Sequence, residues 1–175
     1  MLDSLITSKT RLKLLIRFFI SAANRGYLRG LAEEFNESTN AIRKELNQLT
    51  DAGYLIREEG ESKIYYRANK SHALFGSLQG LIHRFLGIEK FVDQIFQRAG
   101  SVSQVALVGD YAEGIDSGHV EILVLGDAVN KDYLTQAAKK AEVLLEKKFT
   151  VYTSLPEHIK SKIVLFQNSE RKGGI

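Results

Sequence analysis

The chain contains no cysteine. Disulfides, thiolate metal sites and cysteine nucleophiles are therefore excluded, and so is a metal or redox sensor that works through thiols. Proline occurs once, at Pro156. Long apolar runs are missing too. The longest near the N-terminus, Leu14–Ala23, is interrupted by Arg17, well short of the roughly 20 residues a membrane span needs. The opening Met1-Leu2-Asp3-Ser4 lacks the basic region that begins a secretory signal, so a cytoplasmic location with no membrane partner is the expectation. There is no internal repeat and no low-complexity segment. A strong charge bias is lacking as well. The net charge is +3, and the excess falls entirely in residues 1–70. So mild an excess is compatible with nucleic-acid binding and equally with an inert, slightly basic surface.

What is present is ordered in a telling way. With 175 residues the chain can form one ordinary domain or two small ones. Leu12, Leu15, Ile16 and Phe19 recur at three- and four-residue spacing and predict a helix over Thr10–Ala23. Asn24-Arg25-Gly26 ends it. A short helix follows over Tyr27–Phe35, then a turn at Asn36-Glu37-Ser38. Ser38 can cap a third helix, Thr39–Ala52, by accepting from an orphan backbone N–H. Gly53 stops that helix. Tyr54–Glu59 and Ser62–Ala68 read as a hairpin around Gly60.

Further on, His72–Leu86 is helical, with Leu74, Leu78, Leu81 and Phe85 forming a heptad-like seam that suggests a homodimer. Ile88–Arg98 is another amphipathic helix. Strands are expected at Val102–Val108, His119–Leu125, Phe149–Ser154 and Lys162–Phe166. A polar loop spans Gly109–Gly118, a long helix Lys131–Lys147, and Pro156 opens a short helix. The polar tail Glu170–Ile175 is expected to fray. The expected class is α+β: a DNA-binding domain over residues 1–70, a helical connector over 71–99, and a small α/β domain over 100–170.

The third helix carries the chemistry. Ile42, Leu46 and Leu49 should face the core. Asn40, Lys44, Asn47 and Asp51 lie opposite, with Arg43 on the flank and Ser38 and Thr39 at the N-terminal end. Asn suits adenine and Arg suits guanine, whereas Ser, Thr and Lys suit phosphates. A helix N-terminus also favours a phosphate oxygen. The hairpin adds Arg57, Lys63 and Arg67 with Tyr65 and Tyr66, but Glu58, Glu59 and Glu61 sit beside them. An ordinary solvated helix face would have much the same composition; the order of helices and hairpin is what favours DNA. The candidate DNA-binding set is Ser38, Thr39, Asn40, Arg43, Lys44, Asn47 and Lys63.

The stretches Thr7–Leu15, Tyr27–Phe35 and Ser38–Leu49 resemble bacterial winged helix-turn-helix transcriptional regulators of the ArsR-like group, over about residues 7–68. The resemblance implies a homodimer on an inverted-repeat DNA operator. The metal sensing of some members relies on cysteines and does not carry over.

Val108-Gly109-Asp110, followed by His119-Val120-Glu121-Ile122, resembles the core of the polymerase-beta type of nucleotidyltransferase. That resemblance would place a phosphate at the turn after Gly109 and Mg²⁺ on two strand carboxylates. Here Asp110 stands at the phosphate position and His119 replaces the first carboxylate. Phe149–Thr153 supplies no third acid. One Glu and one His make a poor Mg²⁺ set. The expected C-terminal domain is thus non-catalytic and without a cofactor: a dimerisation module, or a sensor of a small molecule or nucleotide. The alternative is an active nucleotidyltransferase with a nucleic-acid-binding winged helix. A different metal held by Asp110, Asp116, His119 and Glu121 is a further alternative. His72, His83 and His158 show no ligand spacing, and Lys139, Lys140, Lys147 and Lys148 read as a solvated basic face.

Overall fold

The computed structural model describes residues 2–167; the expected frayed tail lies outside the described residues. The structure is mixed α+β with two sheets. In chain order the elements are α1 (Leu2–Leu5), α2 (Lys9–Phe19), β1 (Arg25–Tyr27), α3 (Leu28–Phe35), α4 (Thr39–Asp51), β2 (Leu55–Glu59), β3 (Ile64–Ala68), α5 (Phe75–Leu86), α6 (Glu89–Arg98), β4 (Gly100–Val108), α7 (Gly109–Ala112), β5 (His119–Val129), α8 (Lys131–Leu145), β6 (Lys148–Tyr152) and β7 (Lys162–Gln167). No helix among the described residues is long and apolar enough to cross a membrane.

The first unit packs three helices against a small antiparallel sheet in the order β1-β3-β2. α2 is its central helix, burying Leu12, Leu14, Leu15, Ile16, Phe18 and Phe19. It ends at Phe19, four residues before the expected Ala23. Asn24 explains the early end: its side-chain amide donates to Arg17 O at 2.8 Å, so a side chain takes up a terminal helix carbonyl. The chain then turns into β1, a strand absent from the sequence reading, with Gly26 paired to Tyr66. α3 closes on Asn36, which holds a left-handed φ of 52°, a conformation Asn tolerates at a helix end. α4 buries Ile42, Leu46 and Leu49 as its spacing predicts, and Glu45 as well.

The second unit is a four-stranded sheet, β6-β5-β4-β7. Only β5 and β6 run parallel, joined by the α8 crossover; β4 pairs antiparallel with both neighbours. One sheet face, with Val105, Leu107, Val120, Ile122 and Val124, belongs to the main core. The other forms a small cluster of Ala106, Val108 and Leu123 covered by Leu125, Tyr152 and Ile159. Two local expectations need correction. The polar loop after β4 contains the short helix α7, and the segment after Pro156 is turn-like rather than helical.

Helices α5 and α6 do more than connect. Ile82, Phe85, Leu86, Ile88, Phe91, Val92 and Ile95 join one hydrophobic cluster that runs from Leu12 to Leu165. The α5 stripe therefore packs largely on its own chain: Phe85 is buried, Leu78 and Leu81 are half-buried, and Leu74 remains 48% exposed. The two units also meet through the edge of β7. Asn24 donates to Leu165 O at 3.1 Å, and Glu34 accepts from the Val164 N–H at 2.7 Å. Side chains thus occupy backbone groups that an open sheet edge would offer to another strand.

Candidate nucleic-acid interface

The placement of α4 begins at its N-cap. Ser38 Oγ accepts from Ala41 N at 3.2 Å, as expected for a residue with an extended backbone there. On the inner side, buried Glu45 accepts from Ser8 Oγ at 2.7 Å and from Arg11 Nε at 2.8 Å. Ser8 also caps α2 by accepting from Arg11 N at 3.1 Å. Two helix starts are thereby tied to the flank of α4, and its opposite flank stays outward.

Ser38, Thr39, Asn40, Arg43 and Lys44 are all exposed and contiguous on that flank; Asn47 is half-buried. Arg43 Nη1 donates to Asn40 Oδ1 at 3.2 Å. Arg57 Nη2 donates to Asn47 Oδ1 at 2.8 Å. These contacts alter the roles expected of the two asparagines. A bidentate contact to adenine needs the amide oxygen and the amide NH₂ together. In both residues the oxygen already holds an arginine, so each asparagine orients a cation and keeps only its donors for a partner. Arg57, read from sequence as part of the hairpin, thus joins the α4 face.

Lys63 does not. Its Nζ lies 4.0 Å from the centroid of the Tyr27 ring, a cation–π contact that draws the side chain back across the small sheet. The turn closes through Gly60 N donating to Lys63 O at 2.9 Å. The hairpin tip itself presents exposed Glu59 and Glu61. Of the acidic trio, Glu58 alone is neutralised: it pairs with Arg25 at 3.0 Å and closely with Arg67. The hydrogen bond from Arg67 holds its carboxyl below the usual 4.5. Sequence reasoning missed Arg25 because β1 was not visible as a strand. Only the pairing Arg25↔Arg67 places it over Tyr65, with its guanidinium 4.9 Å from the ring centroid.

In the second unit the sequence-predicted metal and nucleotide residues do not converge. Asp110 is exposed, and Asp116 takes the Tyr111 hydroxyl. His119 Nε2 meets Thr150 Oγ1 at 2.8 Å. Glu121 is buried against the Gly109 backbone and accepts from the Tyr152 hydroxyl at 2.9 Å. Among the described residues no group of three or more His, Asp or Glu could hold a metal ion. Burial, then the hydrogen bond to Asp116, pushes the Tyr111 phenol well above its usual range. Burial and Glu121 raise Tyr152.

No family model, curated protein or solved structure matches the chain.

Proposed function

We propose that the chain is a double-stranded-DNA-binding transcriptional regulator whose first unit is a winged helix-turn-helix, with α4 as the recognition helix and β2–β3 as the wing. The observation that carries this reading is the exposed flank of α4. Ser38, Thr39, Asn40, Arg43 and Lys44 face outward at the N-terminal end of a helix whose other flank is fixed to α2. Recognition helices present this end to the major groove. The element order and the β1-β3-β2 sheet agree with a winged helix. In this reading Arg43 and Lys44 contact base edges and phosphates, and Arg57 adds a phosphate contact beside Asn47. The acidic hairpin tip stays off the duplex.

The second unit is then a non-catalytic sensor or dimerisation module of nucleotidyltransferase-like descent. The competing reading, an active nucleotidyltransferase, has Glu121 beside Gly109 in its favour, but that carboxylate is buried and bound by Tyr152. Glu121-dependent transfer of labelled nucleotide with Mg²⁺ or Mn²⁺ would make it the better reading. The regulator is proposed to be a homodimer. Because the α5 stripe packs on its own chain, such a dimer would use other surface.

The decisive test uses duplexes selected by the protein from fragmented genomic DNA. Arg43→Ala with Lys44→Ala is expected to weaken binding about tenfold or more and to lower the salt slope by about two, one per phosphate-neutralising charge lost. Unchanged affinity and slope would reject the assignment of α4.

A further inference from the structure

A groove of about 1000 Å³ lies between α5, α6 and α8, on the second unit and away from α4. Its volume is at the upper end for ligand pockets. Gly87, Phe91 and Ala141 contribute to its lining, and Val143 and Leu144 stand at its lip. These two aliphatic side chains are 82% and 75% exposed. The core does not require them, since α8 turns Leu134, Ala137, Ala138 and Ala141 inward. Two adjacent exposed aliphatic residues beside a concave apolar surface mark a place where something binds.

The rim states the sign of the ligand. Arg84, Lys90, Lys139 and Lys140 all line the groove and are exposed, and none of the described lining residues is acidic. Glu142 turns away, accepting from the Phe149 N–H at 2.9 Å. Pairing this face with itself in a second copy would bring two cationic rims together, so a symmetric contact between copies is disfavoured.

We propose that the groove binds a free amphiphilic anion: a carboxylate head held by the lysine–arginine rim and an aliphatic tail laid against Phe91, Val143 and Leu144. This binding does not depend on the DNA reading, and its test contains no DNA. Dodecanoate is titrated into the full chain by calorimetry, with dodecanol and dodecyltrimethylammonium in parallel, all below micelle formation. Dodecanoate is expected to saturate at one per chain, about tenfold or more tighter than either companion, as a charge-assisted contact implies.

Lys139→Glu with Lys140→Glu should remove that preference. Gln94→Trp should obstruct the groove without changing its charge and weaken binding of all tails. All three positions are exposed, so unchanged circular dichroism is expected. Equal affinity for the three head groups, no saturable binding, or binding that neither variant alters would overturn the proposal. So would binding to anionic phosphatidylglycerol vesicles without binding of the monomer, which would make this a membrane-facing surface.

Discussion

Replacing Glu34 by Ala should strike the junction of the two units. One carboxylate oxygen, Oε1, accepts from Arg17 Nε at 2.9 Å and from the Val164 backbone N–H at 2.7 Å. The side chains of Arg17 and Glu34 are only 8% and 12% exposed, so solvent screens the pair weakly. Truncation leaves a buried guanidinium without its counter-charge, a loss of about 3–5 kcal/mol. Arg17 has little to fall back on: Nη2 reaches Arg25 O at 3.2 Å, and buried Nη1 has no hydrogen-bond partner. Such a loss is a large fraction of the roughly 5–15 kcal/mol that stabilises a typical domain. At roughly 2–4 °C per kcal/mol for a chain of this size, the Tm should fall by roughly 6–20 °C. Urea unfolding, followed by circular dichroism, measures it. The double variant Arg17→Met with Glu34→Leu should recover more than half of the loss, because it removes the unpaired charge. The Val164 N–H stays unpaired, so recovery is incomplete. A loss below about 1 kcal/mol for Glu34→Ala would refute the reasoning and mean that water reaches Arg17 readily.

Gly109→Ala should destabilise the chain by about 2 kcal/mol or more, because Gly109 holds a positive φ of 64° and a Cβ there would meet Glu121 Oε2 at 1.7 Å, combining backbone strain with displacement of a buried carboxylate. Unchanged urea midpoints would count against that packing. In alkaline absorbance titration, two of the seven tyrosines, Tyr111 and Tyr152, should ionise after the others, and Tyr111→Phe should remove the last step. Their phenols are raised in the folded state, so their contribution to stability is complete below the ordinary value of about 10 and is lost as pH climbs through the folded values. Glu58 and Asp116 behave oppositely. Their lowered carboxyls stabilise the fold above the ordinary carboxylate range, and that contribution disappears as pH falls through the folded values. Glu58→Gln should flatten the acid limb of a stability–pH curve, and an unchanged limb would argue against the Arg67 pair.

Periodicity made α4 readable almost to the residue, because one face of Ile42, Leu46 and Leu49 must be buried whatever packs on it. The same holds for α3, α6, α8 and the strands β2 to β7, whose apolar runs or alternation express burial locally. Side-chain composition also determined that no thiol chemistry is present. β1 was invisible because three residues, Arg25-Gly26-Tyr27, carry no period; they become a strand only when β3 offers its edge. The early stop of α2 depended on Asn24 finding the carbonyl of Arg17, a contact that composition does not announce.

The candidate interface divides in the same way. Sequence placed Ser38, Thr39, Asn40, Arg43 and Lys44 on one exposed flank, since helical geometry alone fixes which residues share a face. Tertiary structure decided which polar groups are already engaged. It gave Asn47 to Arg57, drew Lys63 onto Tyr27, and paired Glu58 with two arginines from different strands. It also turned the α5 stripe inward and left Val143 and Leu144 outside. Local spacing fixes direction around a helix axis, but partners far along the chain meet only once the elements have packed.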